Sequence, residues 1–187
     1  MKRLVIGVTG KIGSGKTIFC RYLEKKGCFF ICMDDYVDLL YKKNQRGARL
    51  VEKHFGKDYL RNDGSVNRAK LRINFGDNRF LKYAEDLSVY LVEHIRDSIL
   101  KADKTVIVEY IDFGNEHLRS LINKLVYIDC SLQKIEVRKR GFDEEFLQKA
   151  YKIQKKPLGI DEKIDNSGNK NELYIQADNF LKKYDIV

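Results

Sequence analysis

Proline occurs once, histidine three times and cysteine four times in 187 residues, and no apolar run approaches the roughly 20 residues of a membrane-spanning helix. Each shortage removes a class of protein. Without such a run, a soluble cytoplasmic chain with no membrane partner is expected. Cys20, Cys28, Cys32 and Cys130 lack the paired C-x-x-C spacing of a structural zinc site, so they read as small buried hydrophobes. His54, His94 and His117 are too scattered to suggest a metal set. Pro157 breaks a helix and begins a turn within Lys155–Gly159. No internal repeat or long low-complexity linker divides the chain, so a single domain over 1–187 is expected.

What is present is a globular mixture, 43% hydrophobic and 34% charged, which rules out a disordered polar or acidic tail. The formal charge of +9 favours anionic partners without choosing among phosphate, nucleic acid and anionic lipid. No nucleic-acid motif accompanies it, and no obligatory nucleic-acid partner is expected. Oligomeric state is not legible from these features.

Apolar runs at Leu4–Val8, Phe29–Met33, Thr105–Val108 and Leu125–Ile128 are separated by helical stretches. This pattern predicts an α/β fold, a parallel sheet with helices on both faces. The two later runs end in acid, at Glu109 and Asp129. From Phe80 to Leu100 the apolar positions Phe80, Ala84, Leu87, Leu91, Ile95 and Ile99 form the core-facing stripe of a helix. Leu173, Ile175, Ala177, Phe180 and Leu181 suggest another packed helix near the end. Residues 41–100 read as an acceptor-binding lobe inserted into the core.

The sharpest feature is Gly10-Lys11-Ile12-Gly13-Ser14-Gly15-Lys16-Thr17, a G-x-x-x-x-G-K-T loop between a strand and a helix. Its glycines let successive peptide N–H groups approach phosphate oxygens, and the following helix adds its positive end. Lys16 is placed to meet the β- and γ-phosphates and Thr17 to coordinate Mg²⁺. With no N-K-x-D guanine motif, ATP is the expected donor. Asp34 and Asp35 follow the second strand, where a carboxylate can orient an acceptor hydroxyl or take its proton; strand alternation would send them to opposite faces. Glu109 is a further candidate acid. Residues 134–156 carry eight Lys/Arg against four Asp/Glu, including Arg138, Lys139 and Arg140, and this basic run suits a helical lid over transferring phosphate. Asp143-Glu144-Glu145 reads as the acidic start of the next helix.

The segments VTGKIGSGKT, FGKDYLRNDGSVNRAKLRINF, VIVEYIDF, SLQKIEVRKR and KIDNSGN together resemble the dephospho-coenzyme A kinase family across nearly the whole chain. Phe55-Gly56, Asp63-Gly64, Arg68, Leu71-Arg72 and Phe75 resemble its acceptor-side pattern, Arg140 and Gln154 its lid, and Asp165-Asn166 with Gly168 its late D-N-x-G pattern. The resemblance implies a P-loop kinase core with a coenzyme A lobe and a lid, transferring phosphate from ATP to the 3′-hydroxyl of dephospho-coenzyme A with Mg²⁺. It implies Arg68 and Arg72 beside the acceptor, Arg140 beside the transferring phosphate, and Lys16 and Thr17 at the donor phosphates. The chain departs from the pattern at Cys32, which stands where the family's D-A-D segment begins, while Asp34 matches its second acid. His94-Ile95 stands for an H-P pair, Tyr110–Gly114 for P-L-L-F-E, and Glu136 for a basic lid residue. Met33–Tyr36, MDDY, is similar to a segment of uridine-kinase-like enzymes. A related nucleoside or metabolite kinase therefore stays open, as does an ATP-binding interaction module.

Overall fold

The structure is a computed structural model that describes residues 3–114, 116–138 and 143–186. In chain order its elements are β1 (Val5–Thr9), α1 (Lys16–Lys25), β2 (Phe29–Cys32), α2 (Met33–Leu40), α3 (Arg46–Phe55), a short 3-10 turn (Lys57–Tyr59), α4 (Arg68–Ile73), α5 (Asn78–Lys101), β3 (Val106–Glu109), α6 (Glu116–Arg119), β4 (Lys124–Asp129), α7 (Leu132–Arg138), α8 (Glu144–Ile153), β5 (Glu162–Asp165) and α9 (Lys170–Lys183). Among the described residues no helix is long and apolar enough to cross a membrane.

The five strands pair in parallel in the order β2-β3-β1-β4-β5. β1 lies in the middle, and all five of its residues are buried, which is why VIGVT can be so apolar. Its carboxyl end, flanked by those of β3 and β4, is where an open α/β sheet binds ligands. On one face, Ile6 and Val8 of β1 join Ile107, Val126, Ile128 and Ile164 from the other strands beneath Phe19, Cys20 and Leu23 of α1 and Leu173, Ala177, Phe180 and Leu181 of α9. Each large apolar side chain fully buried here contributes about 1.5–3 kcal/mol. On the other face Gly7 leaves room for the Phe113 ring, since a Cβ there would lie 2.9 Å from it.

The edge strand β5 was not expected from the sequence: of Glu162–Asp165 only Ile164 is buried, and one inward residue leaves no apolar run. Ile175, expected to pack, is instead 59% exposed. Two residues after Leu173 on a helix, it points about 200° away from the buried row. On α5 the expected stripe is present at Leu87, Leu91 and Ile95, with Tyr83 added to it.

The chain resolves into two compact units, one holding β1 to β2 and everything from Ile95 onward, the other Met33–His94. In the second unit Phe55 packs against Tyr59 and Tyr83, with ring centroids 5.1 and 5.6 Å away. The buried hydroxyls of Tyr41 and Tyr83 share a hydrogen bond of 2.5 Å. Leu60 and Val66 bridge antiparallel around a turn in which Gly64 takes φ +80° and the Asp63 carboxylate accepts from Ser65 N–H at 2.9 Å. Asn67 caps α4 by accepting from Lys70 N–H.

Candidate active site

Gly10–Thr17 leaves the carboxyl end of β1 and enters α1. Gly10, Gly13 and Gly15 have φ of +153°, +74° and +96°, the backbone freedom that the motif anticipated. Space demands glycine as well: a Cβ on Gly10 would lie 2.4 Å from the Ile128 carbonyl oxygen, and one on Gly15 would lie 2.1 Å from Asn166 Nδ2.

The Lys16 ammonium donates to the carbonyl oxygens of Gly10 at 3.1 Å and Lys11 at 3.2 Å, so the loop itself holds this charge at its mouth. Thr17 Oγ1 donates to Glu109 Oε1 at 2.7 Å. Glu109 is the last residue of β3, 5% exposed, and stands in register with Cys32 at the end of β2. One strand end therefore carries a carboxylate and its neighbour a thiol. Cys20, buried on α1, has its thiol pushed well above the ordinary value by burial and further by the negative charge of Glu109. Burial likewise pushes Cys28 up to about 11. No two of the four cysteines form a disulfide, and these two are neutral at physiological pH.

Two amide side chains brace the loop from distant parts of the chain. Asn166, buried just beyond β5, donates from Nδ2 to the Ser14 carbonyl at 2.7 Å across 152 positions. Gln154, the C-cap of α8, accepts from Ile12 N–H at 2.6 Å across 142 positions. The sequence pattern included both residues but gave neither a contact, and both sit in largely polar stretches with no local signal of one.

The other candidates belong to other elements. Asp34 and Asp35 are exposed on the first turn of α2, not on a strand, so alternation across a sheet does not govern them; successive helical residues differ by about 100° in direction. Arg68 opens α4, with its guanidinium paired to the Asp38 carboxylate and 5.6 Å from the Tyr41 ring centroid. Arg72 lies one turn later on the same helix and is exposed. His94 stacks on Tyr36 at 3.7 Å between ring centroids. Lys139 and Arg140 lie outside the described residues. Their neighbour Arg138 donates to Cys130 Sγ at 3.3 Å and to the Gly168 carbonyl at 2.9 Å. As expected, Asp143 begins α8, capping it by accepting from Phe146 N–H at 3.0 Å.

A family model described as dephospho-CoA kinase matches residues 4–168. The dephospho-CoA kinase of Aquifex aeolicus is 31% identical over 191 residues, taking in 95% of this chain and 94% of that protein. Among solved structures, the Thermus thermophilus protein TT1252 superposes with a TM-score of 0.75 at 16% identity over 98% of each chain. The dephospho-CoA kinase of Campylobacter jejuni gives 0.53 at 20% identity over 97% of each. These two structural likenesses establish a shared fold.

Proposed function

This chain belongs to the dephospho-CoA kinase family, and from that premise we propose how its own residues divide the ATP-dependent phosphorylation of dephospho-CoA to CoA. The observation that carries the reading is the phosphate loop: a glycine cradle at the carboxyl end of the central strand, an ammonium at its mouth, and a hydroxyl–carboxylate pair beside it. The peptide N–H groups of the loop and the start of α1 bind the donor phosphates of ATP, and Lys16 balances the charge that grows during transfer. Phosphoryl transfer needs little else from a protein beyond positioning and charge.

The donor set beside the loop fits Mg²⁺, because Thr17 and Glu109 offer two hard oxygens 2.7 Å apart. Thr17 would hold the ion directly and Glu109 would orient Thr17 and the ion's water; when bound, Mg²⁺ neutralises phosphate charge. Glu109→Gln is expected to lower kcat about tenfold and to raise the Mg²⁺ concentration needed for half-maximal rate. A Mg²⁺ titration identical to the wild type would remove Glu109 from this role.

On the acceptor side, Arg68 and Arg72 recognise dephospho-CoA through its phosphate oxygens, the chemistry for which guanidinium is suited. Asp34 is the preferred acid for orienting or deprotonating the 3′-hydroxyl, since Cys32 holds the position of the expected first acid. Residues 134–156, with Arg140, serve as the lid that excludes water. Arg68→Ala is expected to raise the KM for dephospho-CoA about tenfold and to leave the KM for ATP unchanged. Separate titrations of the two substrates decide it, and a rise confined to ATP would reverse the assignment. Formation of CoA from ATP and dephospho-CoA by the purified chain tests the activity itself.

A further inference from the structure

The phosphate loop is gripped from behind by α8 through three contacts of different kinds. Ile12 N–H donates to Gln154 Oε1. The Lys11 ammonium sits 3.6 Å from the Tyr151 ring centroid, a cation–π distance. The Ile12 side chain packs on the cluster of Cys130, Ile135 and Leu147, which Tyr151 also joins. One polar, one aromatic and one apolar contact thus converge on Lys11 and Ile12.

The polar contact has a consequence for the opposite side of the loop. Lys11 C=O and Ile12 N–H belong to one peptide group, which is planar and trans, so they point in opposite directions. Gln154 holds the N–H side; the Lys16 ammonium donates to the C=O side at 3.2 Å. Rotation of this peptide would therefore break the Gln154 bond and move the acceptor of Lys16 together.

We propose that Gln154 is a positioning residue that sets Lys16 through the Lys11–Ile12 peptide, and that nucleotide occupancy of the loop is thereby coupled to the packing of α8. The inference rests on the assignment of Lys16 to the donor phosphates. Coupling of this kind is reciprocal: if α8 orients the loop for nucleotide, nucleotide must steady α8.

The test uses the full chain and Mg-ADP, which needs no turnover. Gln154→Ala is expected to weaken Mg-ADP binding by calorimetry roughly tenfold, the effect of leaving one peptide N–H without its acceptor. In the wild type, Mg-ADP should slow hydrogen exchange across Glu144–Ile153; in Gln154→Ala most of that slowing should vanish, while α9 behaves as in the wild type. Under turnover the KM for ATP should rise and the KM for dephospho-CoA should not. Unchanged Mg-ADP affinity, or retained slowing of α8 exchange in the variant, would overturn the proposal. If Gln154→Ala does not fold, Tyr151→Leu, which keeps an apolar side chain in the cluster and removes the ring under Lys11, is read by the same two measurements, with a smaller loss of both expected. A wild type that binds Mg-ADP and makes no CoA would instead refute the kinase reading, and the coupling would still be judged on binding and exchange.

Discussion

Lys16→Ala is expected to reduce CoA formation about 10³-fold at saturating ATP, the scale found when a preorganised charge or donor is removed from a transition state. The ammonium is anchored by the carbonyl oxygens of Gly10 and Lys11, so its position is set before ATP arrives. Alanine removes the charge but none of the loop's peptide N–H groups, which continue to bind phosphate. The loss should therefore fall on kcat more than on nucleotide binding. Steady-state rates, with folding checked by circular dichroism and occupancy by calorimetry, provide the measurement. Turnover near the wild-type rate with ATP bound would show that Lys16 does not stabilise the transferring group.

Asp34→Asn is expected to lower kcat about 10²-fold, the lower range for a positioned general base, with both KM values little changed. Asparagine keeps the size of the side chain and removes its capacity to accept a proton. Asp35→Asn is the internal comparison, because the two acids share the first turn of α2 and point in different directions. If Asp35→Asn abolishes turnover and Asp34→Asn does not, the reaction assignment stands and the identity of the base changes.

The legible parts of this chain are those whose chemistry is local. The loop glycines announce a backbone that only glycine adopts readily, and the runs ending at Glu109 and Asp129 mark buried strands with polar ends. Both features sit within a few consecutive residues. β5 was illegible because an edge strand with one buried side chain has no pattern to read. The helical placement of Asp34 and Asp35 is not legible because α2 starts at Met33, immediately after β2, with no intervening turn residue to mark the change. Gln154 and Asn166 act on the loop across 142 and 152 positions, and no periodicity reports such a pairing. Glu109 lay between these cases: its place at a strand end was readable, its bond to Thr17 was not.

The family's reaction and the departure at Cys32 meet in a single question, whether this chain phosphorylates dephospho-CoA. Incubating the purified protein with ATP, Mg²⁺ and dephospho-CoA, alongside parallel reactions with nucleosides and with no acceptor, and identifying the products by mass spectrometry answers it directly. The expected result is that CoA and ADP appear together in equal amounts, with little ADP in the absence of acceptor. Efficient phosphorylation of a nucleoside with no CoA formed, or bound ATP that passes to no acceptor, would contradict it.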